Sequence, residues 1–97
     1  MPKVVLASAL TRWLPPSVAG SGGEVALPCT GATLATVLET LFAAHPSLRS
    51  YVLDERGAVR HHVAIFVDGQ SIRNKTDLTL ALDANAEVYV MQALSGG

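Results

Sequence analysis

Apolar positions recur with two different periods along the chain, and the change of period separates strands from a helix. Residues 4–10, Val4-Val5-Leu6-Ala7-Ser8-Ala9-Leu10, form a β-permissive run too short for a helix. Pro15-Pro16 and Gly20-Ser21-Gly22-Gly23 mark a connection behind it, from which Trp13 is expected to fold back onto the core edge. Residues 24–27 predict a second strand, ended by Pro28. Leu34, Val37, Leu38, Leu41 and Phe42 then follow the i, i+3, i+4, i+7, i+8 spacing of one helical face, with Thr33 as N-cap. His45-Pro46 bounds this helix, because the residue before a proline is pushed out of the α region.

Beyond the helix, residues 48–53 read as a short extended or turn-like piece and residues 54–57 as an exposed loop. Residues 60–67 alternate with period 2, Val63, Ile65 and Val67 on one face and His62, Ala64 and Phe66 on the other. Asp68-Gly69 closes that strand with a strong turn signal. Leu78, Leu80 and Leu82 fall in a less regular loop with one helical turn. Residues 87–92 form the last strand, with Val88 and Val90 inward and Tyr89 and Met91 outward, or the reverse under a one-residue slip. Asn85, which tolerates left-handed backbone angles, turns the chain before it. One helix among four to five strands predicts an α+β roll in which the helix packs across one face of a mixed sheet. The expected organisation is a single domain over residues 1–92 and a flexible tail over residues 93–97.

Composition narrows the function classes. The chain has 97 residues, 49% of them hydrophobic and 15% charged, which suits one core-forming domain and leaves no room for a second lobe. Seven basic against eight acidic side chains give a net charge of −1. That balance provides no electrostatic footprint for nucleic acid or an anionic membrane. The apolar runs are far shorter than the roughly 20 residues that span a bilayer. Lys3 and the apolar residues 4–9 imitate the start of a secretory signal, but the run is broken early by Arg12, Trp13 and two prolines. A single cysteine, Cys29, allows no internal disulfide and suits a reducing compartment, so the expected location is the cytoplasm.

Few side chains suggest chemistry. His61 and His62 are adjacent on a predicted strand and so point to opposite faces, which argues against a shared metal. Cys29 precedes the helix, where the dipole favours a thiolate, but no His lies near it in sequence and no second Cys can resolve an oxidised form. A buried or merely tolerated thiol is therefore expected, and a nucleophile is the alternative. Asp54, Glu55 and Asp83 read as solvated loop carboxylates, and residues 20–23 lack the Lys-Ser/Thr of a phosphate loop. The most informative feature is the end Ala93-Leu94-Ser95-Gly96-Gly97, directly behind the last strand. Without Cβ atoms, Gly96 and Gly97 fit an extended tail into a narrow channel and leave the terminal carboxylate unobstructed; the alternative is small residues fraying at a terminus.

Three stretches carry a resemblance: residues 59–73, from Val59-Arg60-His61-His62 through Asp68-Gly69 to Arg73; residues 82–91; and the Gly-Gly end. Together with the helix-opening Gly31-Ala32-Thr33-Leu34, they resemble the ubiquitin-like sulfur carriers. These comprise the molybdopterin synthase small subunit, the thiamine sulfur carrier and the carrier of a thiocarboxylate route to cysteine. The length, and the loop before Val59, look most like the cysteine type. The resemblance implies a β-grasp fold and no catalytic group of the chain's own. It implies that Gly97 is adenylated by an E1-like enzyme using ATP and Mg²⁺, then converted to a thiocarboxylate for a sulfur-accepting synthase, with a metalloprotease that trims or regenerates the tail. Gly96, Ser95 and Leu94 then thread the tail, and Phe66, Tyr89 and Met91 are docking candidates, Phe66 being alternatively buried under the helix. A monomer with no resident cofactor or metal is expected. The family pattern is departed from at Ala84-Asn85-Ala86-Glu87, where Asp-Gly-Asp-Glu is common, at Gln92 for a proline and at Ser95 for an alanine. The leading expectation is thus a sulfur carrier for cysteine, thiamine, molybdopterin or a related thiolated metabolite. The alternatives are a protein modifier joined through Gly97 to lysines, or an interaction module whose Gly-Gly end is incidental.

Overall fold

The computed structural model describes residues 1–14, 23–72 and 76–92. Strands β1 (Lys3–Leu6), β2 (Val25–Pro28), β3 (Val63–Val67), β4 (Gln70–Ser71) and β5 (Glu87–Gln92) form one mixed sheet in the order β2-β1-β5-β3-β4. Only β1 and β5 run parallel; the other neighbours are antiparallel. Helix α1 (Leu34–Ala44) supplies Leu34, Val37, Leu38, Leu41 and Phe42 to the core, the five positions that its periodicity marked. Against them lie Val4, Leu6, Val63, Ile65, Val88 and Val90 from the sheet. The fold is the expected β-grasp.

The start of α1 shows why the helix begins where it does. An α-helix leaves its first amide groups without internal partners, and here each has one. Thr33 N–H donates to Thr36 Oγ1 and Thr36 N–H to Thr33 Oγ1, a reciprocal capping box. Leu34 N–H donates to Leu80 O and Ala35 N–H to Leu78 O. Residues 78–82 are therefore an extended strap with a bridge from Ala81 to Thr33, and the expected helical turn is absent from them. The strap is half-apolar for the same reason: Leu78 and Leu82 pack on the core while Leu80 stays 47% exposed.

Two expectations about elements change. The first strand stops at Leu6, and Ser8–Trp13 is a 3-10 helix. Its turn lets Leu10 and Leu14 both reach the core, and Thr11 donates its hydroxyl to Ser8 O, which satisfies a buried polar group. Residues 48–53 are not extended: α2 (Pro46–Val52) is helical, with Leu48 and Val52 buried one turn apart. Pro46 ends one helix and opens the next, since proline at the first turn needs no amide partner.

The Asp68-Gly69 turn forms as expected, with φ of 50° and 86°, the pair of positive angles of a type I′ hairpin. Asn85 does not adopt a left-handed conformation. Asp68 is the only non-glycine residue with positive φ among those described, and the turn at Asn85 closes instead by Ala86 N–H donating to Asp83 O. The Trp13 side chain, residues 15–22 and residues 93–97 lie outside the described residues.

Truncating Leu38, which is 1% exposed beneath the sheet, is expected to cost about 2–5 kcal/mol in urea unfolding. Gly31, at φ +153°, lies so close to α1 that a Cβ would meet Thr36 Oγ1 at 2.6 Å and Val37 N at 2.7 Å. Gly31→Ala should therefore destabilise by about 1–3 kcal/mol. Gly57→Ala, strained in backbone but with open space around it, should cost about 1 kcal/mol.

Candidate functional site

The pairing register settles which face each strand residue joins. Val88 and Val90 point into the core, so Tyr89 and Met91 lie on the outer face, away from α1. Phe66 is on that face too, half-buried and opposite Tyr89, and not beneath the helix. Directly opposed partners share a face, so Ala26, Val5, Tyr89, Phe66 and Ser71 form one row across the sheet. Ala64 and Met91 form the next. The three sequence-predicted docking residues thus stand together on β3 and β5. The patch ends at Gln92, which pairs with Val63 and leads into the Gly-Gly segment. Leu94, Ser95, Gly96 and Gly97 lie outside the described residues. By chain length alone, five residues reach at most about 17 Å beyond Gln92.

Charged groups border the patch, and periodicity did not reveal them. Tyr89 donates its hydroxyl to Glu24 Oε2, across β1 from β5. The hydrogen bond to Glu24, with the negative charge of Glu24 and Glu87, holds the Tyr89 phenol above its ordinary pKa. Lys3 Nζ lies 3.3 Å from Glu87 Oε2, an exposed ion pair contributing at most about 1 kcal/mol. Asp68 is fastened to β5, accepting from Glu87 N–H on Oδ1 and donating its own N–H to Glu87 O. Nothing local signalled the Glu24 contact, which joins residues 65 apart.

The other candidates resolve without a catalytic constellation among the described residues. Cys29 is 3% exposed, and burial pushes its thiol up, in agreement with the expected buried, inert thiol. His61 and His62 sit in a turn before β3 and not on the strand; His62 meets the Tyr51 ring edge-on at 5.0 Å. No group of three or more potential metal ligands occurs among the described residues. Asp54 accepts from Arg56 and Ala58 N–H groups, which hold its carboxyl below the usual range. Asp77 lines an open groove of about 600 Å³ beside β4, but its carboxylate already receives the Thr79 hydroxyl and amide. No helix among the described residues is long and apolar enough to cross a membrane.

A β-grasp body with an apolar sheet face beside the root of a Gly-Gly segment has the build of a ubiquitin-like carrier or modifier. The ThiS family model matches residues 17–97, and the chain belongs to that family, whose small carrier proteins are generally not enzymes. Among solved structures, the chain resembles small archaeal modifier protein 1 (SAMP1) of Haloferax volcanii at 29% identity, with a TM-score of 0.69 over 99% of this chain and 98% of that one. The CysO antigen of Mycobacterium tuberculosis shares the fold at 21% identity, TM-score 0.68, over 94% and 99% of the two chains. A chain of the BexX/CysO complex of Amycolatopsis orientalis does so at 17% identity, TM-score 0.67, over 97% and 99%. No curated protein sequence matches the chain.

The Tyr89–Glu24 contact has a measurable consequence. Glu24→Gln removes the charge that disfavours the phenolate, so the Tyr89 transition in an alkaline ultraviolet titration is expected to move down. Because the phenol is raised in the folded chain, its contribution to stability is present below the unfolded tyrosine value, about 10, and is lost as pH rises through the folded one. The stabilities of wild type and Glu24→Gln should therefore converge in alkali.

Proposed function

We propose that the chain is a sulfur carrier whose Gly97 carboxylate is the working group. The observation that carries the reading is the family match, which runs through residue 97 and so includes the Gly-Gly segment behind β5. A carboxylate oxygen of Gly97 attacks the α-phosphorus of ATP in the active site of an E1-like partner, and pyrophosphate leaves. Sulfide then displaces AMP, forming the C–S bond as the acyl C–O bond to AMP breaks, and the resulting thiocarboxylate passes its sulfur to an acceptor on a synthase. ATP and Mg²⁺ belong to the partner. The carrier's own share is binding: Phe66, Tyr89 and Met91 supply an apolar docking surface, and the glycines give the tail clearance. Leu94 and Ser95 complete the threaded segment. Likeness to structures titled CysO favours cysteine biosynthesis among the acceptor pathways. A cytoplasmic monomer, docking transiently and with its tail trimmed or regenerated by a metalloprotease, completes the proposal.

A second reading is supported by the 29% identity to a protein titled small archaeal modifier protein 1. In a modifier the same activated Gly97 is captured by a lysine amine of a target protein, giving an isopeptide and releasing AMP. Both readings need the same tail and the same docking face.

The deciding measurement is the intact mass of the protein recovered from its host, with fragmentation to place any change. Exchange of one carboxylate oxygen for sulfur at Gly97 is expected. Gly97 found joined to a lysine of another protein would establish the modifier instead. Deleting Gly96 and Gly97 should abolish ATP–pyrophosphate exchange with the host's activating enzyme without changing the unfolding transition. Phe66→Asp and Met91→Asp should each raise the KM for the carrier by about tenfold or more, on the scale of a truncated interface anchor.

A further inference from the structure

The docking face carries a charge placement that its apolar centre does not require. Glu24 stands outside the strands, just before β2, and is exposed, so nothing in the core fixes it. Its carboxylate is held all the same, because Tyr89 reaches across β1 to donate its hydroxyl to it. The path of that side chain accounts for Val5, an outer-face residue that retains only 8% of its surface. Tyr89 thus extends toward the β1 side of the face, and Ala64, Phe66 and Met91 form the half-buried apolar side toward β3. Glu24 marks the border opposite them.

The other border charges are already engaged. Glu87 is paired with Lys3, and Asp68 Oδ1 accepts from the Glu87 amide. Among the described residues no cation pairs with Glu24. The arginines whose side chains are described lie elsewhere: Arg49 on α2, Arg56 in the loop after it, and Arg60 before β3, donating to Ser50 O. A surface that covers this face must therefore meet one carboxylate that none of the described cations of the chain compensates.

Building on the carrier reading above, we infer that Glu24 is a specificity-determining residue of the docking face, matched by an arginine or lysine at the edge of an apolar depression on the adenylating partner. Tyr89 positions the carboxylate, and the partner's cation reads it. A charge at an interface rim acts mainly on encounter and on salt dependence, while the apolar centre supplies contact area. The activating enzyme thereby distinguishes this carrier from a β-grasp chain with an equally apolar face and no carboxylate at that corner.

The test is steady-state adenylation of the full chain by the host's activating enzyme, read as ATP–pyrophosphate exchange at low and at high salt. Glu24→Gln keeps an acceptor for the Tyr89 hydroxyl and loses the charge. Its KM for the carrier should rise about 3- to 10-fold at low salt with kcat unchanged, and the gap should close near 1 M salt, where the Debye length is about 3 Å. Glu24→Arg should exceed that loss, and Tyr89→Phe should lose less than Glu24→Gln. The inference is overturned if both Glu24 variants keep the wild-type KM at low salt. It is equally overturned if Tyr89→Phe reproduces the whole loss at every salt concentration, because Glu24 then acts only by holding the ring. If the wild-type chain itself is not adenylated, the carrier reading fails and this inference falls with it, an outcome distinct from the other two.

Discussion

The last strand of the chain is the middle strand of the sheet, and most of the architecture follows from that placement. β5 lies between β1, which it joins in parallel, and β3, which it joins antiparallel. Its inward Val88 and Val90 are fully buried. A parallel neighbour cannot be reached by a tight hairpin, so everything from β2 to the strap at residues 78–82 acts as a crossover that returns the chain to the centre. The segment bearing Gly96 and Gly97 therefore starts from the most constrained strand in the molecule. Its root is paired with β1 as far as Val90 and with β3 as far as Gln92.

This central position couples stability and recognition through a single strand with two faces. Successive β5 residues alternate between the core under α1 and the outer patch. The strap contributes at one remove: by accepting from the first amides of α1 it fixes the end of the helix that packs over Val88 and Val90. Loss of packing on one face would disturb the register that sets Tyr89 beside Phe66 and Met91 beside Ala64 on the other. A change to an outer side chain has no such reach, because those residues pack little against the core.

The parts legible in the sequence were those set by local periodicity and turn chemistry. α1, its Thr33 cap, the Asp68-Gly69 hairpin and the span of β5 each repeat a pattern within a few residues. The misread parts lacked that redundancy. α2 buries only Leu48 and Val52, too few positions to establish a period, and its opening proline is as natural a stop signal as a start. At Ser8–Trp13 the local preference for extension yields to tertiary packing, since the 3-10 turn brings Leu10 and Leu14 together into the core. Of the site, the outward residues of β3 and β5 could be proposed from alternation, but their register needed the partners across the sheet. The Glu24 contact could not be found at all, because it depends on the reach of Tyr89 over an intervening strand.

Carrier and modifier share one physical design, which is why the fold alone does not separate them. In both, the folded body supplies binding energy and a fixed exit for the tail, while the reacting carboxylate works at a distance inside another protein. On the proposed reading that task asks for no general base, metal or activated nucleophile of the chain's own: activation would come from the nucleotide, and selection from the face that docks. What distinguishes the outcomes is the nucleophile that meets Gly97 after adenylation, a sulfur species or a lysine amine. That choice lies beyond the sheet. Under either reading, what this chain would control is which partner recognises the proposed Phe66, Tyr89 and Met91 surface and how firmly. In the proposed docking, the Glu24 carboxylate at the edge of that surface adjusts recognition without touching the chemistry at the tail.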